Sequence, residues 1–88
     1  MYFKVEDYDF RIYKCYDCMN NEMLCYSMET PKSGYPFLEY SSSALKRLDN
    51  DRIFNGALRF LSHLEIPREI KVAVVYMLFG IDLLKELG

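Results

Sequence analysis

The chain has 88 residues, a formal net charge of −2, 51% hydrophobic and 16% aromatic residues. So apolar a composition excludes intrinsic disorder, which needs low hydrophobicity and high net charge. The acidic balance excludes the basic footprint that supplies most nucleic-acid affinity, and 88 residues leave room for one small core, with residues 1–88 expected as a single domain.

The tyrosines divide the chain: seven of the eight lie within residues 1–40. Aromatic and β-branched residues favour strands. Tyr2–Val5 and Phe10–Cys18 are therefore expected as strands, separated by the polar turn Glu6-Asp7-Tyr8-Asp9. Asn20-Asn21 supplies a second turn, because Asn tolerates positive φ, and Met23–Met28 returns as a third strand. After the Thr30–Gly34 loop, Phe37–Tyr40 is either a fourth strand or the lead-in to a helix. The Phe10–Cys18 segment has aromatics on both faces: Phe10, Ile12, Lys14 and Tyr16 on one, Arg11, Tyr13, Cys15 and Asp17 on the other.

From residue 41 the periodicity is helical. Ser41-Ser42-Ser43 offers caps for a short helix at Ala44, Leu45 and Leu48. A phase slip at Asp49-Asn50-Asp51 starts a second helix, capped by Asn50 or Asp51, with an apolar face of Ile53, Phe54, Ala57, Leu58, Leu61 and Leu64. Its polar face carries Arg52, Asn55, Gly56, Arg59, Ser62 and His63. Pro67 suits the first turn of a third helix, expected to run to Leu87. That helix is apolar on all sides. Ile70, Val74, Met77, Ile81 and Leu84 form one seam and Val72, Tyr76, Phe79 and Leu83 a second. Even the stripe left for solvent contains Val75 and Leu78. The fold class expected is α+β: an N-terminal antiparallel β-meander of three or four strands (residues 1–40) packed on two or three C-terminal helices (residues 41–88).

The sharpest motif is Cys15-Tyr16-Asp17-Cys18, followed by Cys25. Cys-x2-Cys lets two thiolates reach one tetrahedral zinc, and His63, the sole histidine, is the available fourth ligand. The competing reading makes the cysteines small hydrophobes of a hairpin. Three is an odd number, which argues against a disulfide framework. A redox Cys-x2-Cys needs a helix N-terminus to lower its thiol pKa, and none is expected at Cys15. The four glycines, 34, 56, 80 and 88, are isolated, so there is no phosphate-binding loop. One histidine with no aligned nucleophile gives no catalytic constellation.

A helix-turn-helix fails because the last helix lacks the polar, basic face that a groove requires. Lys46, Arg47, Arg52 and Arg59 remain as a basic set for a nucleic-acid-associated regulator, with the acidic cluster at 49–51 opposing it. Met1–Asp7 has no basic stretch followed by an apolar run, and Val72–Ile81 is too short to span a bilayer, so a cytoplasmic location without membrane attachment is expected.

The function expected is a non-catalytic protein–protein interaction module without a cofactor: an adaptor, or an inhibitor of the kind phages and mobile elements direct at a host enzyme. It is expected to be a homodimer, with Tyr13, Tyr26, Val75, Leu78 and Phe79 at the interface. The alternatives are a zinc-stabilised module built on Cys15, Cys18, Cys25 and His63, and the nucleic-acid-associated regulator.

Overall fold

A computed structural model describes residues 1–32, 34–41 and 48–87, without the side chains of residues 35–41. Strands β1 (Tyr2–Val5), β2 (Tyr8–Tyr16), β3 (Glu22–Glu29) and β4 (Gly34–Ser41) form one antiparallel sheet in the order β1-β2-β3-β4. Helices α1 (Asn50–Ser62), α2 (Arg68–Leu78) and α3 (Leu83–Leu87) follow. This is the expected α+β meander followed by helices. The expected helix at Ala44 lies outside the described residues, apart from Leu48.

The first two of the three hairpins rest on local chemistry. Val5 pairs with Tyr8, leaving a two-residue turn in which Glu6 takes φ 53°. This shortens the expected four-residue turn, and Tyr8 and Asp9 join β2. In the β2–β3 connection the Asp17 carboxylate accepts from the Met19 and Asn21 N–H groups, each at 2.9 Å, while Asn20 takes φ 64°. This is the short side-chain-to-backbone bonding that makes Asp and Asn turn residues.

The register sets the faces. Phe10 pairs with Met28 and Ile12 with Tyr26, and all four are buried beneath the helices. Lys14 and Tyr16, on the same face by alternation, are exposed. Phe60 of α1 seats between the layers, with its ring centroid 6.1 Å from those of both Phe10 and Tyr26. Asp49 caps α1 by accepting from Arg52 N–H at 2.9 Å, one residue before the expected cap. The buried face of α1 is Ile53, Gly56, Ala57, Phe60 and Leu61. Gly56, expected on the polar side, is buried and Leu58, expected on the apolar side, is exposed, so the face is rotated toward Gly56 and Phe60.

The long final helix does not form. α2 ends at Leu78, Gly80 takes φ +84°, and a separate α3 begins at Leu83. Asp82 caps α3, accepting from Lys85 N–H at 3.2 Å. Asn50 at the start of α1 ties the corner down: its Nδ2 donates to Asp82 Oδ1 at 3.1 Å and its Oδ1 accepts from Leu84 N–H at 2.8 Å. The break resolves the difficulty of a helix apolar all round, because Leu83 folds back into the core with Ile70, Val74 and Leu78.

Candidate interaction surface

Helix α2 packs on β1 and α1 through Ile70, Val74 and Leu78, spaced one helical turn apart. At 100° per residue, Val72, Tyr76 and Phe79 then fall on the opposite side. They are 45%, 78% and 78% exposed. Between Lys71 and Asp82 the sequence has no charged residue, so this outer stripe has nothing polar to soften it except the Tyr76 hydroxyl. Its ends are charged: Arg68 and Glu69 begin α2, and Asp82 follows it. Beside the stripe, Arg68, Glu69, Val72 and Ala73 line a shallow depression. Large aromatic residues presented side by side on a rigid helix are the groups that dominate protein interfaces.

The outer face of the sheet is the second candidate. Tyr2, Arg11, Tyr13 and Glu29 line an open concavity there. Its polar groups satisfy one another. Tyr2 Oη donates to Asp9 Oδ1 at 2.6 Å, which holds the Tyr2 phenol above its ordinary pKa. The Arg11 guanidinium lies 5.2 Å from the Tyr2 ring centroid and 4.0 Å from the Glu29 carboxylate. Every buried side-chain N or O atom among the described residues has a hydrogen-bond partner, so no buried polar group is held ready for a ligand.

The residues singled out in the sequence separate. Tyr13 is partly exposed on the outer sheet face, and Phe79 stands free on the α2 stripe. Val75 is half-buried. Tyr26 and Leu78 are corrections: at 0% and 1% exposure they belong to the core and present nothing to a partner. Tyr26 faces inward because it pairs with Ile12, and Leu78 because it continues the Ile70–Val74 row.

The proposed zinc ligands are not brought together. Cys15 and Cys25 lie diagonally across the β2–β3 ladder, with Tyr13 opposite Cys25 and Met23 opposite Cys15, and they form a disulfide. Cys18 is exposed in the β2–β3 loop and His63 exposed at the end of α1. No group of three His, Cys, Asp or Glu side chains among the described residues is arranged around a metal position. Contrary to the expectation from an odd cysteine count, two of the three cysteines pair and Cys18 is left over.

Of the basic set, Arg52 lies 3.9 Å from Asp49, and Lys46 and Arg47 lie outside the described residues. Among the described residues no helix is long and apolar enough to cross a membrane. Val72 and Tyr76 were visible in the sequence as a second apolar seam. What the sequence did not show is that this seam is the one left uncovered. Set against family models, curated proteins and solved structures, the chain matches none.

Proposed function

We propose that this chain is a non-catalytic protein–protein interaction module of the adaptor or inhibitor type, and that the outer stripe of α2 is its working surface. One observation carries the reading: Val72, Tyr76 and Phe79 stand exposed in a row on a helix whose opposite side is locked into the core. Leaving such groups in water is unfavourable by about 25 cal/mol for each Å² of apolar surface. Contiguous apolar patches on small proteins mark sites of association. The absence of a catalytic constellation in the sequence agrees with this reading.

Site-specific photo-crosslinking in the expressing cell tests it. A photoreactive phenylalanine at position 76 is expected to give a defined protein adduct, and the same group at Tyr13 is expected to give little. Adducts from position 13 and none from position 76 would move the working surface to the sheet. The absence of adducts from both positions would overturn the reading.

A further inference from the structure

The three cysteines have no part in the α2 surface, and their settings differ. Cys15 and Cys25 are joined across the β2–β3 ladder. Cys25 is 1% exposed, whereas Cys15 is partly exposed. Cys18 is a free thiol, exposed in the β2–β3 loop and three residues from Cys15. An attacking thiol can therefore reach the bond at Cys15 Sγ and not at Cys25 Sγ, and the thiol nearest to Cys15 in sequence belongs to the chain itself.

Asp17 stands between the two. A Cys15–Cys18 bond brings the Cα atoms within about 7 Å, the span of a four-residue turn with Tyr16 and Asp17 at its centre. In the structure these two residues are engaged otherwise. Tyr16 pairs with Glu22, and the Asp17 N–H donates to the Asn21 carbonyl at 3.0 Å. The Asp17 carboxylate accepts from the Met19 and Asn21 N–H groups, each at 2.9 Å. A turn over residues 15–18 takes Tyr16 and Asp17 out of the ladder, so it replaces the turn at 17–21. The end of the hairpin thus has two arrangements, each matched to one disulfide.

We propose that Cys18 is an exchange thiol and that the disulfide moves between two positions, Cys15–Cys25 across the ladder and Cys15–Cys18 in the turn. Cys18 loses its proton to water, and the thiolate attacks Cys15 Sγ. The Cys15–Cys25 bond breaks, and Cys25 Sγ leaves with the electron pair. It then takes a proton from water, since a charge is disfavoured at so buried a position. One sulfur–sulfur bond replaces another, so no oxidant or reductant is consumed. The cross-strand position predominates because it keeps the bonds of the Asp17 turn. Whatever opens that turn frees Cys25 and releases the link between β2 and β3. This device goes beyond the α2 surface and does not depend on it.

Disulfide mapping of the oxidised full chain tests it. The folded chain is held dilute at about pH 8, quenched in acid and unfolded, and its free thiol is labelled with N-ethylmaleimide while still acidic. Most label is expected on Cys18 and about 1–10% on Cys25, the share of a minor state. Asp17→Ala removes the carboxylate that closes the turn. It is expected to raise the ratio of Cys25 to Cys18 label about tenfold, with an unchanged circular dichroism spectrum. Cys18→Ser has no thiol to attack with and is expected to take no label.

Wild-type label confined to Cys18 overturns the proposal. So does label on Cys25 in Cys18→Ser, which would mean reduction from outside. Label on Cys15 overturns it as well, because the attack would then have fallen on the buried Cys25 Sγ. An unchanged label ratio in folded Asp17→Ala would separate the bond's position from the turn and contradict the device. If Asp17→Ala does not fold, wild type against Cys18→Ser still decides the matter.

Discussion

Tyr26 fills the space that a side chain on Gly56 would need. Its hydroxyl donates a 2.8 Å hydrogen bond to the Ile53 carbonyl in the first turns of α1, and a Cβ placed on Gly56 would fall 2.9 Å from the ring Cζ. The helix can sit this close to the sheet only because residue 56 lacks a side chain, and the closeness is what buries the Tyr26 hydroxyl with a partner. Gly56→Ala gains up to about 1 kcal/mol of helix propensity. The clash is backed by a packed ring and costs about 1–3 kcal/mol, so the variant is expected to be less stable on balance. Tyr26→Phe is expected to lose about 1 kcal/mol. The double variant should be more stable than the sum of the two, since removing the hydroxyl relieves part of the overlap. Urea unfolding of the four proteins measures this coupling, and simple additivity would contradict it.

Gly80 is needed for a different reason. No atom lies within 4 Å of where its Cβ would be, but its φ is +84°. Gly80→Ala is therefore expected to cost about 1–2 kcal/mol through backbone strain alone. Chemical denaturation should show this loss without a change in the α1–sheet packing. A neutral result would mean that the α2–α3 corner can be remade as continuous helix.

The Cys15–Cys25 bond closes a short loop within an existing hairpin, at a sequence separation of 10. Its reduction is expected to lower stability by about 2–3 kcal/mol while leaving the sheet intact. Thermal unfolding with and without reductant measures the change. Cys25→Ser should match the reduced protein, and Cys18→Ser should match the wild type. With two thiols so engaged, a chelator is expected to leave the oxidised protein's unfolding curve unchanged.

At acid pH the β2–β3 turn should report through Asp17. The hydrogen bond from the Asn21 backbone N–H, foremost among its partners, holds this carboxyl below its ordinary 3.8. A depressed carboxyl stabilises the fold fully above 3.8, and that contribution is lost as pH falls through the lower, folded value. Asp17→Asn should therefore lower stability at neutral pH and flatten the acid limb, so that variant and wild type converge at low pH. Tyr2 acts in the opposite direction. Its phenol is raised by donating to Asp9, so its contribution is full below 10.0 and lost as pH rises through the higher folded value. An acid limb identical in Asp17→Asn and wild type would refute the turn's role.

Much of the fold was legible in the chain, and the misses have physical causes. The strands followed from aromatic and β-branched density, and Pro67 and the Asp49–Asp51 cluster marked the helix starts. Gly56 was misplaced because a glycine on a helical wheel looks neutral, whereas here it records the approach of a tyrosine 30 positions earlier in the sequence. The final helix reads through Gly80 because its apolar periodicity continues from Ile70 to Leu84, although Gly80 followed by Asp82 spells a stop and a new cap. With the helix unbroken, Val75 and Leu78 were the natural solvent side. Once Leu83 folds back, Leu78 is enclosed and Val72, Tyr76 and Phe79 are left outside.

The most direct check on the interface is a concentration series of amide NMR spectra of the oxidised, unmodified chain. Shifts that change with concentration are expected to gather on residues 68–82, centred on Val72, Tyr76 and Phe79, with the outer sheet face around Tyr2 and Tyr13 unmoved. Changes confined to the sheet face around Tyr2 and Tyr13 would contradict an α2 working surface.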